Sequence, residues 1–152
     1  MIKILFICHG NICRSPMAEF VMKHLVKQSS LEGSFLIDSK ATSTEEIGNT
    51  MHQGTIKKLR EQNIPFTAHR ASQMKKEDYE KYNFIIAMDS FNYRNILRIT
   101  GPDTQQKISL LMDFTPHPKD IADPWYTGNF DETFSDIFSG CTSLLEKLRK
   151  TL

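Results

Sequence analysis

A chain of 152 residues is the size of one domain, and 39% hydrophobic with 24% charged residues fits a globular protein rather than a disordered or fibrous one. A formal net charge of +1 provides no bulk attraction to nucleic acid or to a membrane surface, so neither is expected as a partner. Three cysteines, an odd count without framework spacing, argue for a reducing compartment, taken here as the cytoplasm, and against a disulfide-stapled secreted domain.

The apolar run Ile2–Ile7 reads as a buried strand, too short for a signal-peptide core or a membrane span. Cys8-His9-Gly10-Asn11-Ile12-Cys13-Arg14-Ser15-Pro16 follows, and then a helix over about Pro16–Lys27, where Ala18, Val21, Leu25 and Val26 recur at helical spacing. A loop that joins a strand end to a helix start turns free backbone N–H groups toward one point and attracts an anion. Gly10 and Asn11 tolerate the left-handed backbone such a turn uses. Cys8 opens the loop and Arg14 closes it. The loop amides, the positive helix end and Arg14 all favour a thiolate at Cys8, the form that attacks. Arg14 presents a planar fork for two phosphate oxygens. Ser15 is placed either to cap the helix or to donate to the thiolate, and Pro16 suits a first helical turn. Neither Cys13 nor Cys141 has an arginine six residues on, so only Cys8 fits the Cys-x5-Arg spacing.

Ser34–Ser39 is the second strand, and Lys40–Asn49 a polar surface loop beside the site. Thr50–Gln62 reads as a helix with Met51, Ile56 and Leu59 on its apolar face despite Gly54, ended by Asn63-Ile64-Pro65. Lys75–Lys81 is a short helix whose charges are expected to face water. Phe84–Met88 is a third buried strand; Asp89 and Ser90 offer a cap for a helix over Phe91–Ile99, and Lys107–Met112 is the fourth strand. Strands alternating with helices give a single-domain α/β fold over 1–152, a four-stranded parallel sheet with helices on both faces and ligands bound at the strands' carboxyl ends. Asp113–Asn129 is a long loop with three prolines, and a loop of that length is usually functional. Within it, Asp123-Pro124 offers a stiffened carboxyl group. Held over an anion, that group can protonate a departing phenoxide and later take a proton from water. Trp125 and Tyr126 follow, with rings able to stack on an aromatic substrate or to anchor the loop. Phe130–Lys150 is the last helix, with Phe134, Ile137, Phe138, Cys141, Leu144, Leu145 and Leu148 forming a core stripe in which Cys141 is an inert thiol. The five histidines show no metal-ligand spacing. Arg14 and the loop dipoles supply the positive field, so no metal or cofactor is expected.

Cys8–Pro16 closely resembles the signature of the low-molecular-weight protein tyrosine phosphatases. Asp123-Pro124-Trp125-Tyr126 looks like that family's general-acid loop, and Asp38–Ser43 with Ile47-Gly48-Asn49 are familial too. The resemblance implies a Rossmann-like phosphatase fold. It also implies hydrolysis of phosphotyrosine proteins or aryl phosphates through a cysteinyl-phosphate, by a monomer or weak dimer. Cys8, Arg14 and Asp123 would be catalytic, and His9, Gly10, Asn11, Ile12, Cys13, Arg14 and Ser15 would bind phosphate. By the same resemblance Ser39 supports Asn11, His69 in a His-x-x-Arg-Gln-like segment orients Asn11 or Ser39, and Cys13 protects Cys8 by a reversible disulfide unless it is merely a small loop residue. Two departures stand out: Ser72 where relatives carry arginine, and Glu45 where relatives place an aromatic wall beside Trp125 and Tyr126. A carboxylate there implies a more open cleft. Arsenate reductases share the scaffold but need relay cysteines between Cys13 and Cys141, which this chain lacks; a non-catalytic phosphate-binding module would not need Cys8, Arg14 and Asp123 together.

Overall fold

The computed structural model describes residues 1–152. Four parallel strands form one sheet in the order β2-β1-β3-β4: β1 (Ile2–Cys8), β2 (Phe35–Ala41), β3 (Phe84–Ala87) and β4 (Ile108–Leu110). β1 lies between β2 and β3, with Cys8 opposite Ala41 at its carboxyl end. Because both faces of β1 are covered, its sequence is a near-continuous apolar run rather than an alternating one.

Helices α1 (Arg14–Gln28), α2 (Gln53–Glu61) and α6 (Phe130–Arg149) pack with Ile4, Phe6 and Cys8 on one face. The other face, Leu5, Ile7 and Ile85, is covered by α3 (Asp78–Lys81) and α4 (Ser90–Thr100) through Tyr79 and Ile96, and by Tyr82 just past α3. At Gly140 an added Cβ would sit 2.5 Å from Leu111 Cγ, so the missing side chain sets how closely α6 meets the end of β4. No helix is long and apolar enough to cross a membrane.

Several boundaries differ from expectation for local reasons. β4 is cut short because a 3-10 turn, Leu111–Phe114, begins at once, its Asp113 carboxylate accepting from Leu110 N–H. α2 begins at Gln53 and not Thr50, since Thr50 bridges Arg70 and His52 caps the helix. The 113–129 segment is not all loop, because α5 (Pro124–Thr127) starts within it, capped by Asp123 and ended by Gly128 at φ 70°. The 75–81 charges do not all face water: Asp78 is buried and receives Lys40 Nζ at 3.0 and 3.1 Å. Phe138, expected in the α6 stripe, is 41% exposed.

Candidate active site

The Cys8–Ser15 loop leaves the carboxyl end of β1, where an open parallel sheet binds ligands. α1 begins inside it, at Arg14 rather than Pro16, with Met17 N–H bonded to Cys13 carbonyl at 3.3 Å. The last loop amides are therefore the first amides of a fifteen-residue helix. The backbone N–H groups of His9, Gly10, Ile12 and Cys13 donate to no acceptor within the protein, and Asn11 N–H points to Cys8 Sγ at 3.3 Å. That leaves a ring of donors free for an oxyanion. Asn11 takes the left-handed backbone, at φ 59°; Gly10 does not, contrary to expectation. Gly10 instead gives room, since a Cβ there would press to 3.2 Å from Glu46 Cγ.

Proton directions in the network behind the loop follow from its fixed donors. Ser72 N–H can only donate, and it lies 3.2 Å from Asn11 Oδ1, which fixes the amide's orientation. Asn11 Nδ2 then donates to Ser15 Oγ at 2.8 Å and to Ser39 Oγ at 3.0 Å. The Ser39 hydroxyl donates in turn to Glu19 Oε1 at 2.6 Å. With Cys8 as the thiolate, a sulfur that can only accept, the Ser15 hydroxyl donates to Cys8 Sγ, 3.0 Å away, beside the Asn11 N–H. Ser15 thus serves the sulfur and does not cap α1, whose N-cap, Cys13, makes no side-chain bond. His69 Nε2 lies 3.2 Å from both Asn11 oxygens, so it carries a proton, and Nδ1 faces Glu19 at 3.9 Å. Ser39 and His69 therefore both touch Asn11. Ser72 contributes through its backbone, which does not need the arginine side chain of relatives.

Arg14 is buried. Its Nη1 donates to Asp89 Oδ2 at 2.6 Å and to Ile121 carbonyl at 2.8 Å, and Nη2 lies 3.4 Å from Asp123 Oδ2. Burial opposes its charge, but Cys8, Asp89 and Asp123 outweigh that and raise its pKa. Ile121 N–H is bonded in turn to Met88 carbonyl at the end of β3, and Thr133 Oγ1 of α6 to Ala122 carbonyl. These ties bring residue 123 over a loop more than a hundred residues earlier. One Asp123 oxygen caps Trp125 N–H at 3.0 Å while the other faces Arg14.

Cys8, Arg14 and Asp123 line one cavity of about 110 Å³, together with His9, Gly10, Ile12, Cys13, Glu45, Glu46, Trp125 and Tyr126. Trp125 and Tyr126 are 57% and 83% exposed and form the rim. Glu45 lines the same cavity, and its carboxylate accepts from His9 Nε2 at 2.9 Å, so a loop residue answers part of its charge. Cys13 is buried, and its thiol is pushed up to about 12 by burial first and then by the charges of Cys8 and Asp123. Cys141, buried in α6, is raised by burial alone.

Sequence reasoning missed Glu19 and Asp89 as parts of the site. Glu19 falls on α1 one turn after the motif, and the only signal was a carboxylate at a position packed like a core residue. Asp89 was legible as a cap, and it is one: Oδ1 accepts from Asn92 N–H at 2.8 Å while Oδ2 holds Arg14.

Residues 3–152 match the family described as low molecular weight phosphotyrosine protein phosphatase. The low molecular weight protein-tyrosine-phosphatase YfkJ of Bacillus subtilis is 39% identical over 152 residues, covering 99% of this chain and 97% of that one. PtpA of Staphylococcus aureus, named likewise, is 33% identical over 151 residues, 99% of this chain and 96% of its own. The crystal structure of YfkJ superposes with a TM-score of 0.96 at 38% identity, covering 99% and 96% of the two chains. That of the Streptococcus pyogenes phosphatase SP-PTP superposes at 0.86 with 38% identity, covering 97% and 93%.

Proposed function

This chain belongs to the low molecular weight phosphotyrosine protein phosphatase family and is a cysteine-dependent protein tyrosine phosphatase; from that premise we propose how its own residues divide the work. The Cys8 thiolate attacks phosphorus in line with the leaving oxygen. The free amides of the loop and the Arg14 fork hold the equatorial oxygens as charge builds on them. Asp123 gives its proton to the departing phenoxide, and phosphate remains esterified to sulfur. Water, giving its proton back to Asp123, then attacks that phosphorus and releases phosphate, and the Ser15 hydroxyl stabilises the sulfur anion that leaves. Asn11, Ser39 and His69 keep the loop in shape, and Asp89 keeps Arg14 planar to the cleft.

The observation that carries this reading is the convergence of Cys8, Arg14 and Asp123 on one cavity, with the loop N–H groups of His9, Gly10, Ile12 and Cys13 uncommitted. Residues 1–152 act as one phosphatase domain, supported by a family match over 3–152. The family implies phosphoproteins or aryl phosphates as substrates. Trp125 and Tyr126 take the phenyl ring, Glu45 leaves the facing wall open, and the chain works as a monomer or weak dimer. Three free cysteines suit the reducing cytoplasm. Cys13 serves as the resolving thiol. Its proton is held partly by the Cys8 charge, and oxidation of Cys8 to the neutral sulfenic acid removes that charge.

The test is hydrolysis of an aryl phosphate by wild type and Cys8→Ser, with arsenate plus thiol as a control. Turnover of the ester by wild type alone, with phosphate still bound by Cys8→Ser, supports the reading. Turnover by Cys8→Ser at the wild-type rate overturns it.

A further inference from the structure

We propose that His52 is a positioning residue that ties the loop carrying Asp123 to the phosphate loop. The proposal rests on Asp123 being the general acid. His52 reaches both sides of the cleft at once. Its backbone N–H donates to the Ile12 carbonyl of the phosphate loop at 2.9 Å. Its ring lies edge-on to Trp125, with centroids 5.6 Å apart and planes at 81°, and stacks on Phe130 at 5.2 Å and 27°. Trp125 N–H in turn holds Asp123 Oδ1 at 3.0 Å. A ring that fixes Trp125 therefore fixes the carboxyl group two residues before it.

Three further features give the ring one orientation. Nδ1 accepts from Gly54 N–H at 2.9 Å, which places the ring proton on Nε2 and holds the imidazole in the plane that faces Trp125. Phe130, on the far side, is packed against Ile12, Cys13 and Ala71, so the stack is backed by the phosphate loop's own side chains. Gly54 is the gap that admits it: a Cβ at that position would fall 2.3 Å from the Phe130 ring. A glycine that weakens α2 as a helix is thus the residue that lets an aromatic stack close over its first turn. The helix carrying Trp125 is only four residues long and Trp125 is itself more than half exposed, so this contact supplies lateral restraint that α5 lacks.

The experiment measures kcat/KM, which reports the step that expels the phenol, for aryl phosphates ranging from dinitrophenyl to phenyl. A good leaving group needs little protonation and a poor one needs it fully, so a displaced acid shows as a loss confined to the poor ones. Asp123→Asn sets the scale, with a steep loss on phenyl phosphate. His52→Asn keeps a cap for Gly54 N–H and the backbone bond to Ile12 but removes the ring. It is expected to lose about tenfold on phenyl phosphate and under about twofold on dinitrophenyl phosphate, as small misplacements of a catalytic group do. His52→Phe keeps the ring and loses the cap; it is expected to show the wild-type leaving-group dependence even if it unfolds earlier. A uniform loss across substrates in His52→Asn, no loss at all, or the same profile in His52→Phe as in His52→Asn overturns the proposal. If Asp123→Asn itself shows no leaving-group dependence, the acid assignment fails and the proposal falls with it.

Discussion

Removing the Asn11 side chain should unseat the phosphate loop more than any other uncharged truncation. Asn11 is fully buried at φ 59° and bonds Ser15, Ser39, Ser72 and His69. In Asn11→Ala the Ser15 and Ser39 hydroxyls can rotate to other partners and His69 keeps the Asn11 backbone carbonyl, but the part-buried Ser72 N–H loses its acceptor. Such an orphan costs about 1–3 kcal/mol, and an alanine in the left-handed region adds about 1 kcal/mol. The sum is about 2–4 kcal/mol, a sizeable part of the 5–15 kcal/mol typical of a whole domain. Urea unfolding followed by tryptophan fluorescence measures it, and kcat/KM for an aryl phosphate is read where the variant remains folded. Activity should fall at least about tenfold, since the Ser15 hydroxyl that donates to Cys8 then loses the Asn11 amide holding it and a hydrogen bond to a charged group is worth about that much. Asn11→Asp keeps the shape and tolerates the backbone, but its carboxylate draws the Ser15 proton away from sulfur, so turnover should suffer more than stability. Wild-type unfolding with wild-type kcat/KM in Asn11→Ala would refute the reasoning.

Ser15→Ala should fold normally and lose about 10- to 100-fold in turnover, the worth of one hydrogen bond to an anionic sulfur; steady-state kinetics at the wild-type rate would contradict the proton direction assigned to Ser15. Glu45→Tyr should lower KM for aryl phosphates about three- to tenfold by giving the ring an aromatic wall, and unchanged kinetics would remove Glu45 from the cleft's specificity. Cys13→Ser should turn peroxide inactivation from thiol-reversible to irreversible, because Cys8 sulfenic acid then has no neighbouring thiol to condense with, losing water, to a disulfide; recovery by dithiothreitol equal to wild type counts against protection.

Much of this was legible because the chemistry sits in contiguous segments. Cys8–Ser15 carries the proposed nucleophile, the donors and the guanidinium in eight consecutive residues, and strand, loop and helix are each visible in the residue pattern around them. Asp123 was legible because proline fixes it and aromatic residues follow. What stayed hidden depends on partners far apart in the chain. Asp89 meets Arg14 only because β3 lies beside β1, seventy-five residues away in sequence. Glu19 sits at a core-like helical position, but its partner is unknown until β2 brings Ser39 to it. Asp78 looked solvated within a charged run, yet Lys40 from the edge strand buries its charge. His52 gave no pattern at all, since its role comes from Phe130 and Trp125 arriving from beyond residue 120.

The sulfur of Cys8 as the phosphoryl acceptor can be tested directly. Wild-type enzyme mixed with excess aryl phosphate, quenched in acid within milliseconds and digested, should yield the peptide carrying Cys8 with one added phosphoryl group, in Asp123→Asn as well as wild type. A burst of phenol release should match that phosphopeptide in amount. Phenol release with no phosphoryl group on Cys8, or with the label on another residue, contradicts the assignment.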